Sequence, residues 1–399
     1  MSIDLSVKLG NLAFPNPIIV ASGPPSMSPR HILNCFKHGA GGVVTKTIGF
    51  DPIMQAQPKP RMHVMNKKDA VAGRYYSLYS IDLLSEYEPE KWVDFLREAK
   101  QNMKRQGLEG VLIASIGGRD YEEWRKLATM VEGAGVDAIE TNVSCPHIEK
   151  GKLMGRAVAS DPNLVQKIVK TVKNACSIPV VCKITPHGAD PVQLAEVMVS
   201  AGADALVSTA RFQGLVIDID EMEPISWGGY GGYGGPWQLP MSLSWTAHIA
   251  TRKLGVPIIG SGGVASGDDI VKFIMIGADA IQTCTAVMIL GYDIISKMKD
   301  RLGEWITSKG FTRIEEFKGI ALNKIIPLED LAREKAYQVL VDNEKCTSCA
   351  ICERACPYLA ISLDQLRKPV IDQAQCGNCG LCVSICPFDA MELARKKSA

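Results

Sequence analysis

Residues 111–143 read VLIASIGGRDYEEWRKLATMVEGAGVDAIETNV. The β-prone, largely apolar run Val111–Ile116 stops at Gly117 and Gly118. From Tyr121 to Gly133 the apolar positions return at helical spacing, and a second β-prone run, 138–143, follows. This is one β-α-β unit, and repetition of that order makes a parallel sheet.

Working outward, the same alternation recurs. Further strands are predicted at 17–22, 42–47, 180–184, 205–209, 257–261 and 280–284. Between them lie amphipathic segments at 90–106, 162–175, 191–201, 243–254 and 267–276. Eight units close naturally into an α/β (β/α)8 TIM barrel, expected over residues 1–310. An open doubly wound sheet competes with it. Polar and glycine-rich residues follow almost every strand, as they would around one barrel mouth. Two connections, 48–88 and 211–241, exceed ordinary loop length and mark the expected substrate side. Residues 311–341 read as a helical linker.

Cysteine usage sets the C-terminal residues apart. Of 13 cysteines, eight lie between Cys346 and Cys386. Cys346, Cys349, Cys352 and Cys356 follow the spacing C-x2-C-x2-C-x3-C, with Pro357 next; Cys376, Cys379, Cys382, Cys386 and Pro387 repeat it. In the bacterial two-cluster ferredoxin run the fourth cysteine of each motif ligates the other cluster. One [4Fe–4S] cluster is therefore assigned to Cys346, Cys349, Cys352 and Cys386, and the second to Cys376, Cys379, Cys382 and Cys356. Zinc knuckles share the C-x2-C spacing, but four cysteines in so compact a run, repeated once, favour clusters. A small two-[4Fe–4S] ferredoxin domain is expected over 342–399, acting as a relay for single electrons.

Composition excludes several classes. The 44 basic and 43 acidic residues nearly cancel, which argues against a nucleic-acid partner or an anionic membrane surface. No apolar run approaches a membrane span, and the first residues lack the pattern of a signal peptide. A cytoplasmic protein is expected.

At the barrel mouth, Gly260-Ser261-Gly262-Gly263 follows strand seven and Thr283-Cys284-Thr285 follows strand eight, the usual place for a phosphate in such barrels. The string from Gly229 to Gly234 fits G-x-G-x-x-G, yet no strand precedes it and Pro236 and Trp237 stand where a helix should start. Nicotinamide binding is thus assigned to another protein. Lys46 and Lys183 end apolar strands, where a lysine is costly unless paired. A cation there can stabilise the anionic N1–C2=O edge of a reduced flavin. Cys145, on the loop after strand four, is placed for acid–base chemistry.

Asn142-Val-Ser-Cys145-Pro-His147, with ASGPP at 21–25, VVTKT at 43–47 and the GSGG turn, resembles the dihydroorotate dehydrogenase family. The double cluster is similar to the flavin and iron–sulfur half of dihydropyrimidine dehydrogenases. The resemblance implies FMN in the barrel, hydride exchange between the flavin and one substrate carbon, and Cys145 as proton donor or acceptor at its neighbour. It implies that Ala21, Ser22, Gly23, Lys46, Thr47, Asn142, Lys183 and Thr209 bind the cofactor. Gly235, Gly262, Gly263, Cys284 and Thr285 would surround its phosphate. Asn142 and His147 would meet the substrate, a small molecule; Arg211, outside the family pattern, is a further candidate for the substrate. It further implies a separate electron-transfer partner, either an FAD/NAD(P) subunit or a ferredoxin, and a homodimer or hetero-oligomer.

The departures concern the substrate. The pyrimidine enzymes carry asparagines after strands three and six; here those places read Ala114-Ser115-Ile116-Gly117-Gly118-Arg119 and Ser208-Thr209-Ala210-Arg211. A buried Arg211 would favour a carboxylate. Trp227, Tyr230, Tyr233 and Trp237, with Tyr75, Tyr76 and Tyr79, could wall a flat or apolar substrate. Two activities are therefore expected to compete: reduction of the C=C of uracil or thymine, and reduction of another activated alkene such as an anionic enoate or cyclic enone. A tRNA dihydrouridine synthase would need a basic surface that the charge balance does not provide, and a purely relaying subunit would not need Cys145.

Overall fold

The computed structural model describes residues 3–73, 75–143, 158–225, 228–333 and 336–396. It divides into two compact units, Met1–Ile325 and Ile326–Ala399.

In the first unit eight parallel strands close into a barrel: β1 (Ile18–Val20), β2 (Gly42–Val44), β3 (Val111–Ile116), β4 (Ala138–Thr141), β5 (Val180–Lys183), β6 (Ala205–Val207), β7 (Ile258–Ser261) and β8 (Ala280–Thr283). Each strand pairs with its neighbour in sequence, and β8 returns to β1 through Ile281 opposite Ile18. All eight strands are buried along their whole length, which is why they read as continuous apolar runs rather than alternating ones. Helices Pro89–Gln106, Tyr121–Gly133, Pro162–Ala175, Pro191–Ser200, Leu239–Thr251 and Gly267–Met275 cover the outside. Their apolar faces supply large buried anchors, among them Trp92 and Trp124.

The two long connections build a structure of their own. Met62–Met65, Ser77–Ser80, Gly231–Gly234 and Phe212–Gly214 form a four-stranded antiparallel sheet. Its glycine strand makes room for neighbours: a β-carbon on Gly231 would lie 2.6 Å from the Tyr79 ring, and one on Gly232 2.6 Å from the Arg211 guanidinium carbon. The glycine string that imitates a dinucleotide fingerprint thus serves side-chain packing in a sheet.

The expected helical linker over 311–341 is not helical. Among its described residues there is no α-helix, but three-residue 3-10 turns at Ile314–Glu316, Leu322–Lys324 and Leu328–Asp330. Its first part packs with the barrel unit, where Phe311 and Phe317 stack against each other and on Trp305. Its last part is a strand, Tyr337–Val341, paired with Met391–Arg395 in the second unit.

The second unit is an internal duplication. Helices Ile351–Ala355 and Leu381–Ile385 lie within the two cysteine runs, each carrying the third cysteine and ending just before the fourth, and Ile361–Leu363 pairs with Pro369–Ile371. Equivalent bonds recur in each half: Cys346 and Cys376 donate their N–H to the carbonyls of Asp342 and Asp372, while the N–H groups of Ala360 and Ala390 reach the sulfurs of Cys356 and Cys386 at 3.4 Å.

Candidate active site

The ends of the barrel strands converge on one cleft of about 1150 Å³, counting its open mouth. Strand ends β1 and β2 bring Ala21, Ser22, Gly23, Lys46 and Thr47; β4 and β5 bring Asn142 and Lys183. The opposite wall holds Gly235, Gly262, Gly263, Cys284 and Thr285, with Arg211 on the side of the antiparallel sheet. Thr209 is buried but outside this lining, its hydroxyl donating to the Ala210 carbonyl at 3.3 Å. Cys145, His147 and Trp227 lie outside the described residues. The expected aromatic wall disperses. Tyr76 lines the cleft, and Tyr79 is buried and donates to the Gly229 carbonyl. Tyr233 stacks on Trp237, whereas Tyr75 and Tyr230 are exposed.

Each lysine is paired by a residue that sequence reading did not single out. Lys46 Nζ meets Asp82 Oδ2 at 2.5 Å, with both side chains buried. Burial alone would raise the Asp82 carboxyl, but Lys46, Arg211 and Arg61 together hold it below the ordinary carboxylate range. Lys183 Nζ donates to Gln282 Oε1 at 2.6 Å, and Gln282 Nε2 donates to Glu140 Oε2 at 2.6 Å. Between the lysines runs a ladder of hydroxyls. Thr47 Oγ1 takes the Asn142 amide at 2.8 Å and shares hydrogen bonds with Ser115 at 3.0 Å and Ser22 at 3.1 Å. Arg211 donates to the Ser80 hydroxyl. Burial pushes the Cys284 thiol up to about 11, with Arg211 the first charge opposing it, so this cysteine is a neutral thiol at pH 7. Glu140 and Gln282 did leave a signal: each is a polar residue inside a fully buried strand. Asp82 left none.

These residues fit a flavin mononucleotide. Gly262 and Gly263 sit at φ 92° and 85°; β-carbons there would lie 2.3 Å from Gln238 Nε2 and 2.4 Å from Leu239 N. Only glycine keeps that turn low enough to present bare backbone to a phosphate. The Tyr76 hydroxyl lines the same cleft, is buried, and has no hydrogen-bond partner among the described residues. Burial pushes its phenol up, so it stays a neutral donor. Two ammonium groups and an amide donor at the other end suit the carbonyls and nitrogens of a flavin ring. In the second unit, Cys346, Cys349, Cys352 and Cys386 line one cavity although Cys386 belongs to the second motif. No group of three His, Cys, Asp or Glu among the described residues is set to hold a single metal ion, and a four-thiol cavity suits a larger cluster. Among the described residues no helix is long and apolar enough to cross a membrane.

Comparison with known proteins agrees with both halves. Residues 4–306 match the dihydroorotate dehydrogenase family, and residues 326–390 match the 4Fe-4S dicluster domain. Subunit PreA of the NAD-dependent dihydropyrimidine dehydrogenase of Escherichia coli K12 is 31% identical over 360 residues, covering 88% of this chain and 85% of that protein. The catalytic subunits of dihydroorotate dehydrogenase B (NAD(+)) from Pyrococcus furiosus and Thermococcus kodakarensis are 33% and 34% identical, each over 80% of this chain and nearly all of their own length. The protein is a flavin-dependent oxidoreductase acting on CH–CH bonds, with FMN in the barrel and two [4Fe–4S] clusters in the C-terminal domain. Barrel, cleft and relatives converge on a single family: the chain belongs to the dihydroorotate dehydrogenase family.

Proposed function

We propose that the enzyme interconverts a pyrimidine such as uracil or thymine with its 5,6-dihydro form. The observation that carries this is the joining of a flavin cleft and a double-cluster domain in one chain, 88% of which aligns with PreA, a subunit named for dihydropyrimidine dehydrogenation. Bound in the cleft that Lys46, Lys183 and the glycine turn line, FMN would supply hydride exchange with the substrate and single-electron exchange with the clusters. The chain's own residues do the rest. Lys46 and Lys183 carry positive charge to the cofactor edge, while Gly235, Gly262, Gly263 and Thr285 hold its phosphate. Asn142, fixed on Thr47, presents its amide to the ring of substrate or cofactor. Cys145, three residues beyond Asn142, delivers the proton to the carbon next to the one that receives hydride. Electrons arrive from a partner subunit or ferredoxin in the cytoplasm, and the relatives named as NAD-dependent subunits support the former.

One observation favours a second substrate class. Arg211 lines the cleft wall, and after β3 no asparagine is present; Arg119 there is tied to Glu123. A guanidinium at the cleft wall that makes no contact ion pair among the described residues suits an anionic alkene such as an enoate.

The test is anaerobic. The purified enzyme is fully reduced, uracil, orotate, enoates or enones are added in turn, and reoxidation of the flavin absorbance is followed. Rapid reoxidation by uracil that is lost in Cys145→Ala is the expected result. Silence with uracil and thymine but reoxidation by an enoate overturns the pyrimidine assignment in favour of the second.

A further inference from the structure

At the floor of the cleft lies a buried chain of three side chains from three strands, Glu140, Lys183 and Gln282, all of which line it. Glu140 on β4 and Gln282 on β8 are each 1% exposed, and Lys183 ends β5 at the cleft. A carboxylate placed in a barrel core costs several kcal/mol unless its oxygens are satisfied. Glu140 Oε2 accepts from Gln282 at 2.6 Å, while Oε1 has no hydrogen-bond partner among the described residues and stands 3.7 Å from the Lys183 ammonium. The charges therefore attract across a gap that a direct hydrogen bond does not close.

Gln282 keeps that gap. Its amide orientation is fixed by chemistry: an ammonium only donates and a carboxylate only accepts, so the amide oxygen must face Lys183 and the amide nitrogen Glu140. The Lys183 ammonium spends one of three donors on Gln282 and sits at the cleft wall with others to spare. Were the amide absent, Lys183 and Glu140 would collapse into a contact pair, and the carboxylate would offset more of the charge that the ammonium presents to the cleft. Were Glu140 uncharged, the same ammonium would act with nothing buried to offset it.

We propose that Gln282 and Glu140 are positioning residues that set how much positive charge Lys183 presents to the cofactor, Gln282 as a spacer and Glu140 as a partial counter-charge. The two act in opposite directions. A stronger positive field at the cofactor edge favours its reduced, anionic form; a weaker one favours the oxidised form. The proposal rests on Lys183 facing the flavin.

The experiment is an anaerobic dye-equilibrated titration of the holoenzyme, reading the reduced-to-oxidised flavin ratio at fixed potential, with Lys183→Met as reference. Lys183→Met is expected to lower that ratio. Glu140→Gln should raise it by about tenfold, the scale of one unit charge at such range. Gln282→Met, similar in volume but unable to bridge, should lower it. Failure of Lys183→Met to change the ratio removes the flavin-facing premise and the proposal with it. A Lys183→Met effect with no change, or a change of the same sign, in the other two overturns the proposal alone. If Gln282→Met yields no folded flavoprotein, Glu140→Gln decides: a rise supports the assignment and no change overturns it.

Discussion

The ion pair of Lys46 with Asp82 joins residues 36 apart in the chain, both buried at the cleft. Removing one partner leaves a buried charge without its counter-ion, which costs about 3–5 kcal/mol. Asp82→Asn should therefore lower the urea midpoint by that equivalent, and should lower flavin content as Lys46 loses its hold; an unchanged midpoint would show the pair to be solvated. Cys284 allows a pH test. With its thiol near pH 11, only about one molecule in ten thousand is thiolate at pH 7. In flavin-depleted protein, alkylation at Cys284 should rise roughly tenfold per pH unit from pH 7 to pH 10. Arg211→Met, which removes the first of the opposing charges, should slow it further. Labelling read by mass spectrometry that levels off below pH 9 would contradict the burial argument. The lysines were legible because a cation ending an apolar strand demands an explanation. Their partners were not, since Gln282 lies 99 residues from Lys183 and 142 from Glu140, and only barrel closure brings them together.

The barrel strands were legible for a related reason. Strands buried on both faces read as short unbroken apolar runs whatever their register, and turn residues bound them on each side. The antiparallel sheet from the two long connections was not, because one strand, Gly231–Gly234, is three glycines in four residues and another, Ser77–Ser80, is a mixed polar segment. The space above the glycines is filled by Tyr79 from the neighbouring strand and by Arg211. Glycine meaning thus depends on surroundings, and a pair of substitutions separates the cases. Gly255 and Gly263 have similar dihedrals, φ 80° and 85°, but a β-carbon at Gly255 meets nothing within 4 Å, whereas at Gly263 it strikes the Leu239 backbone at 2.4 Å. Gly255→Ala should cost about 1 kcal/mol of backbone strain and leave flavin binding intact. Gly263→Ala must push back the start of helix Leu239–Thr251 and widen the phosphate turn, so the flavin-to-protein ratio should fall at least about tenfold at equal flavin. Equal flavin content in both variants would remove Gly263 from the phosphate site.

At the scale of the whole molecule, the chemistry is divided between a unit that handles hydride and a unit that handles single electrons, and the second is stitched together by its own duplication. The two cysteine motifs are offset by 30 residues, and a fourth cysteine that served its own motif would let each half hold its cluster independently. The structure instead sets Cys386 in the cavity of Cys346, Cys349 and Cys352. With ligation crossed in both clusters, each half would depend on the other for a ligand, and neither cluster would be complete unless the strand pair Tyr337–Val341 and Met391–Arg395 had brought the ends together. Crossed ligation makes a definite prediction for paired variants in reduced holoenzyme examined by electron paramagnetic resonance. Cys346→Ser and Cys386→Ser should diminish the same cluster signal, and Cys376→Ser and Cys356→Ser the other. If Cys386→Ser instead matches Cys376→Ser, ligation is within motifs and the crossed assignment fails. In the crossed case, either loss should stop turnover with the physiological electron donor while single-turnover reoxidation of chemically reduced flavin by substrate continues near its normal rate. That split would place the clusters on the electron path and leave the carbon chemistry wholly to the barrel.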